Sequence, residues 1–209
     1  MSEDKKYEID LNQYNIHEDL TCKVENTELY LPFKIDSFAD DQHEKRFIRS
    51  VKKLVRSSLE YKEWTNYLID VLQLTSCIIT GERLGEVKIE FHHHPISMEN
   101  IVTAVVDKFM DEKIKFSTFD VAYEIMKLHF EMKIGVVPLV TTMHQKFHNG
   151  YLTIPIDSVI GDYNYFLKNY PVRADAMEVI HRYIKITKGN QIGWKNNNNT
   201  IEVINNDSK

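Results

Sequence analysis

The stretch Val87-Lys88-Ile89-Glu90-Phe91-His92-His93-His94-Pro95 alternates apolar and polar residues and then runs into three histidines. Alternation of period two marks a half-buried strand. Further along, Val136-Val137-Pro138-Leu139 reads as a second short strand, followed by a short helix that Asn149-Gly150 ends. Thr141 or Thr142 is placed to cap that helix. His144 and His148 lie one helical turn apart, so both rings leave the same face. Two imidazoles so placed can grip one metal ion. At the end of the first strand adjacent residues face opposite ways, so one ring can bind a metal while its neighbour faces a substrate. Read singly, each motif also fits a blander account: an incidental histidine pair, or a polar cluster satisfied beside the core.

Outward from these segments the chain is mostly helical. Between His43 and Leu74, Phe47, Val51, Leu54, Val55, Leu59, Trp64, Leu68 and Leu72 recur at steps of three and four, the spacing of a helix with one buried face. Asp40-Asp41 offers its start, and Ser57-Ser58 or Lys62 a break that splits it in two. Ser97 can cap a helix from Met98 to Met110. Another begins near Ser117 or Thr118 with Asp120 in a capping role and ends before Gly135, a good stop. The segment from Tyr151 to Ile186 reads as a strand or loop and two short helices, with Tyr163, Tyr165, Phe166 and Tyr170 as helical core. The expected organisation is an N-terminal arm (1–40), one domain (41–187) with a helical insertion at about 98–134, and a polar tail (188–209) expected to be mobile.

Composition narrows the class. The 209 residues are 43% hydrophobic and 27% charged, as in a globular domain able to bury a core without staples. The two cysteines, Cys22 and Cys77, form no disulfide framework, which fits a reducing, cytoplasmic setting. Met1 to Asp10 is charged and unlike a signal peptide. No apolar run approaches the ~18 residues of a membrane span, so no membrane partner is expected. The formal net charge of −5 argues against a protein that coats nucleic acid through overall charge, but leaves room for a local basic patch. Lys45, Arg49, Lys52, Lys53 and Arg56 form one, near one face of the first helix. Such a stripe suits sequence-independent phosphate contact, and equally an ordinary solvated face. Lys185, Lys188 and Lys195 are a weaker second group. There is no phosphate-cradling glycine loop, Gly-x-Ser-x-Gly elbow or helix-turn-helix signature.

Taken together, Glu90-Phe91-His92-His93-His94-Pro95-Ile96-Ser97 and Val137-Pro138-Leu139-Val140-Thr141-Thr142-Met143-His144-Gln145-Lys146-Phe147-His148-Asn149-Gly150 resemble the two motifs of the HNH (His-Me finger) endonucleases. Cys77-Ile78-Ile79-Thr80-Gly81 is similar to the upstream zinc knuckle of that family. The knuckle positions are here Cys77, Thr80, Val140 and Met143, and a lone thiol cannot hold zinc tetrahedrally. An apolar plug, without structural zinc, is expected in its place. Two departures stand out. The stretch from Met98 to Ile134 is longer than in the family, and Gly135 occupies the position of an asparagine that helps fix the loop holding the general base.

The resemblance implies an α+β fold, mostly helical, around a small ββα-metal (His-Me finger) core. It implies a metal-dependent endonuclease of phage or mobile-element type that hydrolyses DNA. His92, His144 and His148 would hold one divalent ion (magnesium, manganese, nickel or zinc). His93 would be the general base; if the register shifts by one residue, His93 binds the metal and His94 is the base. Two other classes stay open: a nucleic-acid-binding or structural protein that keeps the fold without cleavage, and a metal-binding interaction module.

Overall fold

A computed structural model describes residues 34–187, together with the backbone of two short strands before them. The polar tail, Lys188, Lys195 and most of the N-terminal arm lie outside the described residues, as do the side chains of Cys22 and Lys185. Strands β1 (Thr21–Val24) and β2 (Thr27–Tyr30) pair as an antiparallel hairpin, in a region whose sequence shows little periodicity.

Helix α1 (Asp41–Ser57) starts where Asp40 accepts a hydrogen bond from the His43 backbone N–H at 2.7 Å. Its apolar face buries Phe47, Ile48, Val51 and Val55. The break falls at Ser58, whose extended backbone ends α1 while its hydroxyl accepts from Tyr61 N–H and starts α2 (Leu59–Asp70). One serine therefore serves as the C-cap of one helix and the N-cap of the next. Helix α2 buries Trp64 and Leu68 completely.

Strand β3 (Ile89–His93) follows, then α3 (Met98–Asp111), capped by Ser97. Helix α4 (Thr118–Phe130) begins in a full capping box: the Ser117 hydroxyl accepts from Asp120 N–H and the Asp120 carboxylate accepts from Ser117 N–H. It ends before Gly135, as expected, but Gly135 does not cap it. The left-handed position after α4 is taken by Met132, at φ +52°.

Strand β4 (Val136–Val140) pairs antiparallel with β3, His92 opposite Val137 and His93 opposite Val136. Helix α5 (Thr141–His148) leaves β4 directly. Its N-cap is Val140, not a threonine, because the strand runs straight into the helix and no side chain caps it. A short 3-10 turn (Ile156–Ser158), α6 (Tyr163–Asn169) and α7 (Ala174–Thr187) complete the described chain.

The chain is thus α+β. Helices α1, α3 and α4 pack on one another, with α2 against α1 and α4. Their shared core includes Phe47, Val51, Trp64, Ile101, Val105, Ile125 and Leu128. The stretch expected to be an insertion between the strands supplies two of the four helices around that core. Phe166 and Tyr170 are buried and stack with ring centroids 4.6 Å apart, in keeping with the core role expected of them. Arg173 pairs with Asp107 of α3 and Glu44 of α1, tying the start of α7 to the helical layer. A second, smaller cluster lies under β3, β4 and α5 and contains Cys77, Val137, Leu139, Val140 and Met143. Three of the four knuckle positions meet in this apolar plug; the fourth, Thr80, is exposed.

Gly135 has a role other than the expected helix stop. A Cβ there would meet the His94 carbonyl oxygen at 2.1 Å and a Val159 methyl at 2.5 Å. The Gly135 carbonyl accepts from His94 N–H at 3.0 Å, extending the β3–β4 pairing by one step. Only glycine permits that approach. Gly135→Ala is expected to lower stability by about 1–3 kcal/mol, the ordinary scale of overpacking. Urea unfolding measures it, and a variant as stable as the wild type would show that the strands can separate here without cost.

Candidate metal and histidine site

Strand alternation divides the histidine run. His92 points toward α5, His93 toward α2 and α4, and His94 back to the side of His92. The His92 ring lies 4.9 Å from that of His144 and 5.1 Å from that of His148, and the latter two are 4.7 Å apart. One nitrogen of each ring can be chosen so that all three lie within 4.8 Å of one another. That spread suits three ligands of a single ion, with positions left for water or substrate.

Burial and neighbouring rings disfavour protonation of His92 and His148. Burial holds His92 down to about 3, and the neighbouring imidazoles of His144 and His94 add to the effect. His148 is lowered too, first by partial burial and then by His144. Neutral imidazole is the metal-binding form.

Glu90, not foreseen as a site residue, orients the cluster. Its Oε2 accepts from His144 Nδ1 at 2.7 Å, and its Oε1 accepts from Thr141 Oγ1 at 3.2 Å and from Lys88 Nζ at 2.8 Å. The Lys88 and His144 contacts hold the Glu90 carboxyl down to about 2. With Nδ1 so engaged, His144 presents Nε2 to the cluster, the carboxylate–histidine arrangement common behind metal ligands. His144 Nε2 and His148 Nε2 lie 2.9 Å apart. A sequence signal existed: Lys88, Glu90 and His92 alternate along the strand and so share one face.

His93 is 6% exposed and stacks on Trp64, with rings 6.2 Å apart and 19° from parallel. Its Nε2 lies 2.9 Å from Nε2 of His129, a second residue that sequence reasoning missed. His129 falls on the buried face of α4 with Val121, Ala122, Ile125 and Leu128, a position at which helical spacing flags a histidine held inside. His94 is 1% exposed, lies against Phe147 and Tyr183, and forms no part of the cavity that His93 lines.

That cavity, about 690 Å³, has His92, His93, His144 and His148 on its wall. Lys52 and Arg56 of the basic stripe, with Lys88, line it as well. Lys45, Arg49 and Lys53 do not reach it; they are exposed elsewhere on α1, because only the C-terminal end of the helix abuts the cavity. Lys45, Arg49, Lys52 and Arg56 nevertheless follow one another at steps of four, three and four, so the stripe runs along α1 to the cavity mouth. Lys52 is paired with Glu99 at 2.6 Å.

An α+β protein with a three-histidine cluster able to hold one divalent ion is the class that this fold and cavity define. The chain matches the family model of bacteriophage G278-like virion proteins over residues 1–207 and belongs to that family. Among curated proteins and among solved structures, none matches it. Among the described residues, no helix is long and apolar enough to cross a membrane.

The buried histidines impose a pH dependence. Burial lowers His94 and His129 to about 4 each, against an ordinary value of 6.5. Between those values the unfolded chain binds protons that the folded chain does not, so stability rises with pH through that window. The contribution is full above about 6.5 and is lost as pH falls toward 4. Each residue accounts for on the order of 3 kcal/mol. Urea midpoints of the metal-free protein, measured from pH 7 to pH 4, are expected to fall steadily; a flat profile would contradict the neutral burial of these rings.

Proposed function

We propose that this virion-family protein is a metal-dependent nuclease that hydrolyses DNA phosphodiester bonds in the manner of the HNH (His-Me finger) enzymes. The observation that carries the reading is the meeting of His92, His144, His148 and His93 on one cavity wall, at the end of a basic helix stripe. Strand β3, strand β4 and helix α5 correspond, in this reading, to the ββα-metal core.

His92, His144 and His148 would hold the ion, with Glu90 fixing the ring of His144. Three imidazoles favour manganese, nickel or zinc over magnesium by softness. When bound, the ion supplies Lewis acidity for the charge that builds on the phosphate. His93 is the general base. It takes a proton from a water molecule as the water oxygen bonds to phosphorus; the bond to the leaving deoxyribose oxygen breaks, its electron pair stays on that oxygen, and solvent reprotonates it. The placement of His93 on the cavity wall, with His94 behind Phe147 and Tyr183, favours His93 over His94 for that role. Lys52 and Arg56 would contact phosphates beside the scissile bond, and Lys45, Arg49 and Lys53 phosphates further along the duplex.

A second reading, a structural virion component that keeps the histidine site without cleavage, draws support from the family description itself.

Nicking of supercoiled plasmid, with Mg²⁺, Mn²⁺, Ni²⁺ and Zn²⁺ compared, tests the proposal. Wild-type protein is expected to cut with at least one ion, His144→Ala to lose cutting, and His93→Ala to lose roughly 10²–10⁴-fold in rate. Unchanged cutting by His93→Ala would falsify its assignment as base, and tight metal binding without any cutting would favour the structural reading. Glu90→Gln is expected to weaken metal binding about 10–100-fold, read by calorimetry; undiminished affinity would remove Glu90 from the site.

A further inference from the structure

We infer that His129, carried on α4, sets the tautomer and orientation of His93 and so makes Nδ1 of His93 the atom that accepts the proton. The inference rests on the hydrolytic reading above for its last step, and on geometry alone for the rest.

The geometry fixes each proton in turn. His129 Nδ1 lies 2.7 Å from the carbonyl oxygen of Ile125, one turn earlier in α4. A carbonyl only accepts, so His129 Nδ1 carries the hydrogen. In a neutral imidazole the other nitrogen is then an acceptor, and His129 is fully buried, with no charged partner beside its ring. Its Nε2 stands 2.9 Å from Nε2 of His93. Two acceptors cannot share that distance, so His93 Nε2 carries a hydrogen and donates it. The lone pair of His93 is left on Nδ1, which makes no hydrogen bond among the described residues, and His93 forms part of the cavity wall.

Aromatic walls hold the chain of bonds in place. Trp64 meets His129 edge to face at 4.6 Å and lies nearly parallel to His93, while Tyr61 meets His129 at 5.7 Å. Neither ring can turn over without breaking a buried hydrogen bond, a change that leaves a polar atom unpaired inside the core. His129 touches no reacting atom in this scheme; it is a positioning residue whose action passes through His93.

The first measurement needs no substrate. Long-range proton–nitrogen spectra of the ¹⁵N-labelled, metal-free protein at neutral pH are expected to show His129 protonated on Nδ1 and His93 on Nε2. The opposite tautomer at His93 overturns the inference whether or not the protein cuts DNA. The second measurement uses two variants. His129→Gln keeps an acceptor, its amide oxygen, for His93 Nε2–H; His129→Phe keeps the bulk and removes it. The Phe variant is expected to lose roughly 10²-fold or more in single-turnover cleavage at unchanged affinity for metal and DNA, with His93 in mixed tautomers. The Gln variant is expected to recover most of the rate. Cleavage by the Phe variant at the wild-type rate overturns the inference. Should the Phe variant not fold, a Gln variant with the wild-type tautomer at His93 and no cleavage does the same. A wild-type protein that cuts nothing removes the proton-accepting role of Nδ1, while the spectra still decide the hydrogen-bonded chain.

Discussion

The antiparallel pairing of Ile89–His93 with Val136–Val140 governs everything around the site. A strand sends successive side chains to opposite faces, so the register decides which histidine meets which environment. In the register observed, His92 faces the helix that follows β4, and His93 faces the tryptophan and histidine of the helical layer. A slip of one residue would exchange them, placing His93 among His144 and His148 and His92 against Trp64. Three features hold the register. The apolar residues of β4 are all buried, the cluster around Cys77 and Met143 packs beneath the pair, and the close contact of Gly135 with His94 closes its open end.

The parts of this arrangement that depend on neighbours in sequence were legible in the sequence. The caps at Asp40, Ser97 and Ser117, the division of the first helical run at Ser58, the two strands and the one-turn spacing of His144 and His148 all follow from local chemistry. Their limits were local too. Gly135 looks like a helix stop because glycine tolerates the left-handed region, yet Met132 takes that conformation, and the glycine answers a contact with a carbonyl on another strand. Thr141 and Thr142 look like caps, but the chain passes from strand to helix without a turn for them to close. Glu90 and His129 acquire their roles from partners far along the chain, and no spacing rule names those partners.

The helices between the two strands bear on the same point. Their sequence reads as an insertion into a compact finger, yet α3 and α4 pack with α1 to form the larger core. The strand pair rests against this layer through Trp64, Phe91, His93 and His129. Residue 135 has no room for a side chain, and the polar contact to the His93 ring comes from His129 on α4. The support for His93 thus comes from the scaffold instead of from the loop beside it.

The placement of the three clustered histidines also has a topological meaning. His92 lies before α3 and α4, and His144 and His148 lie after them. An ion held by all three would close a loop that contains both helices, as a disulfide closes the chain between its cysteines. Such a closure removes conformations from the unfolded chain more than it adds contacts to the folded one. The same three side chains would then act as a reversible staple, joining β3 to α5 and closing the loop that carries α3 and α4 for as long as the ion stays in place.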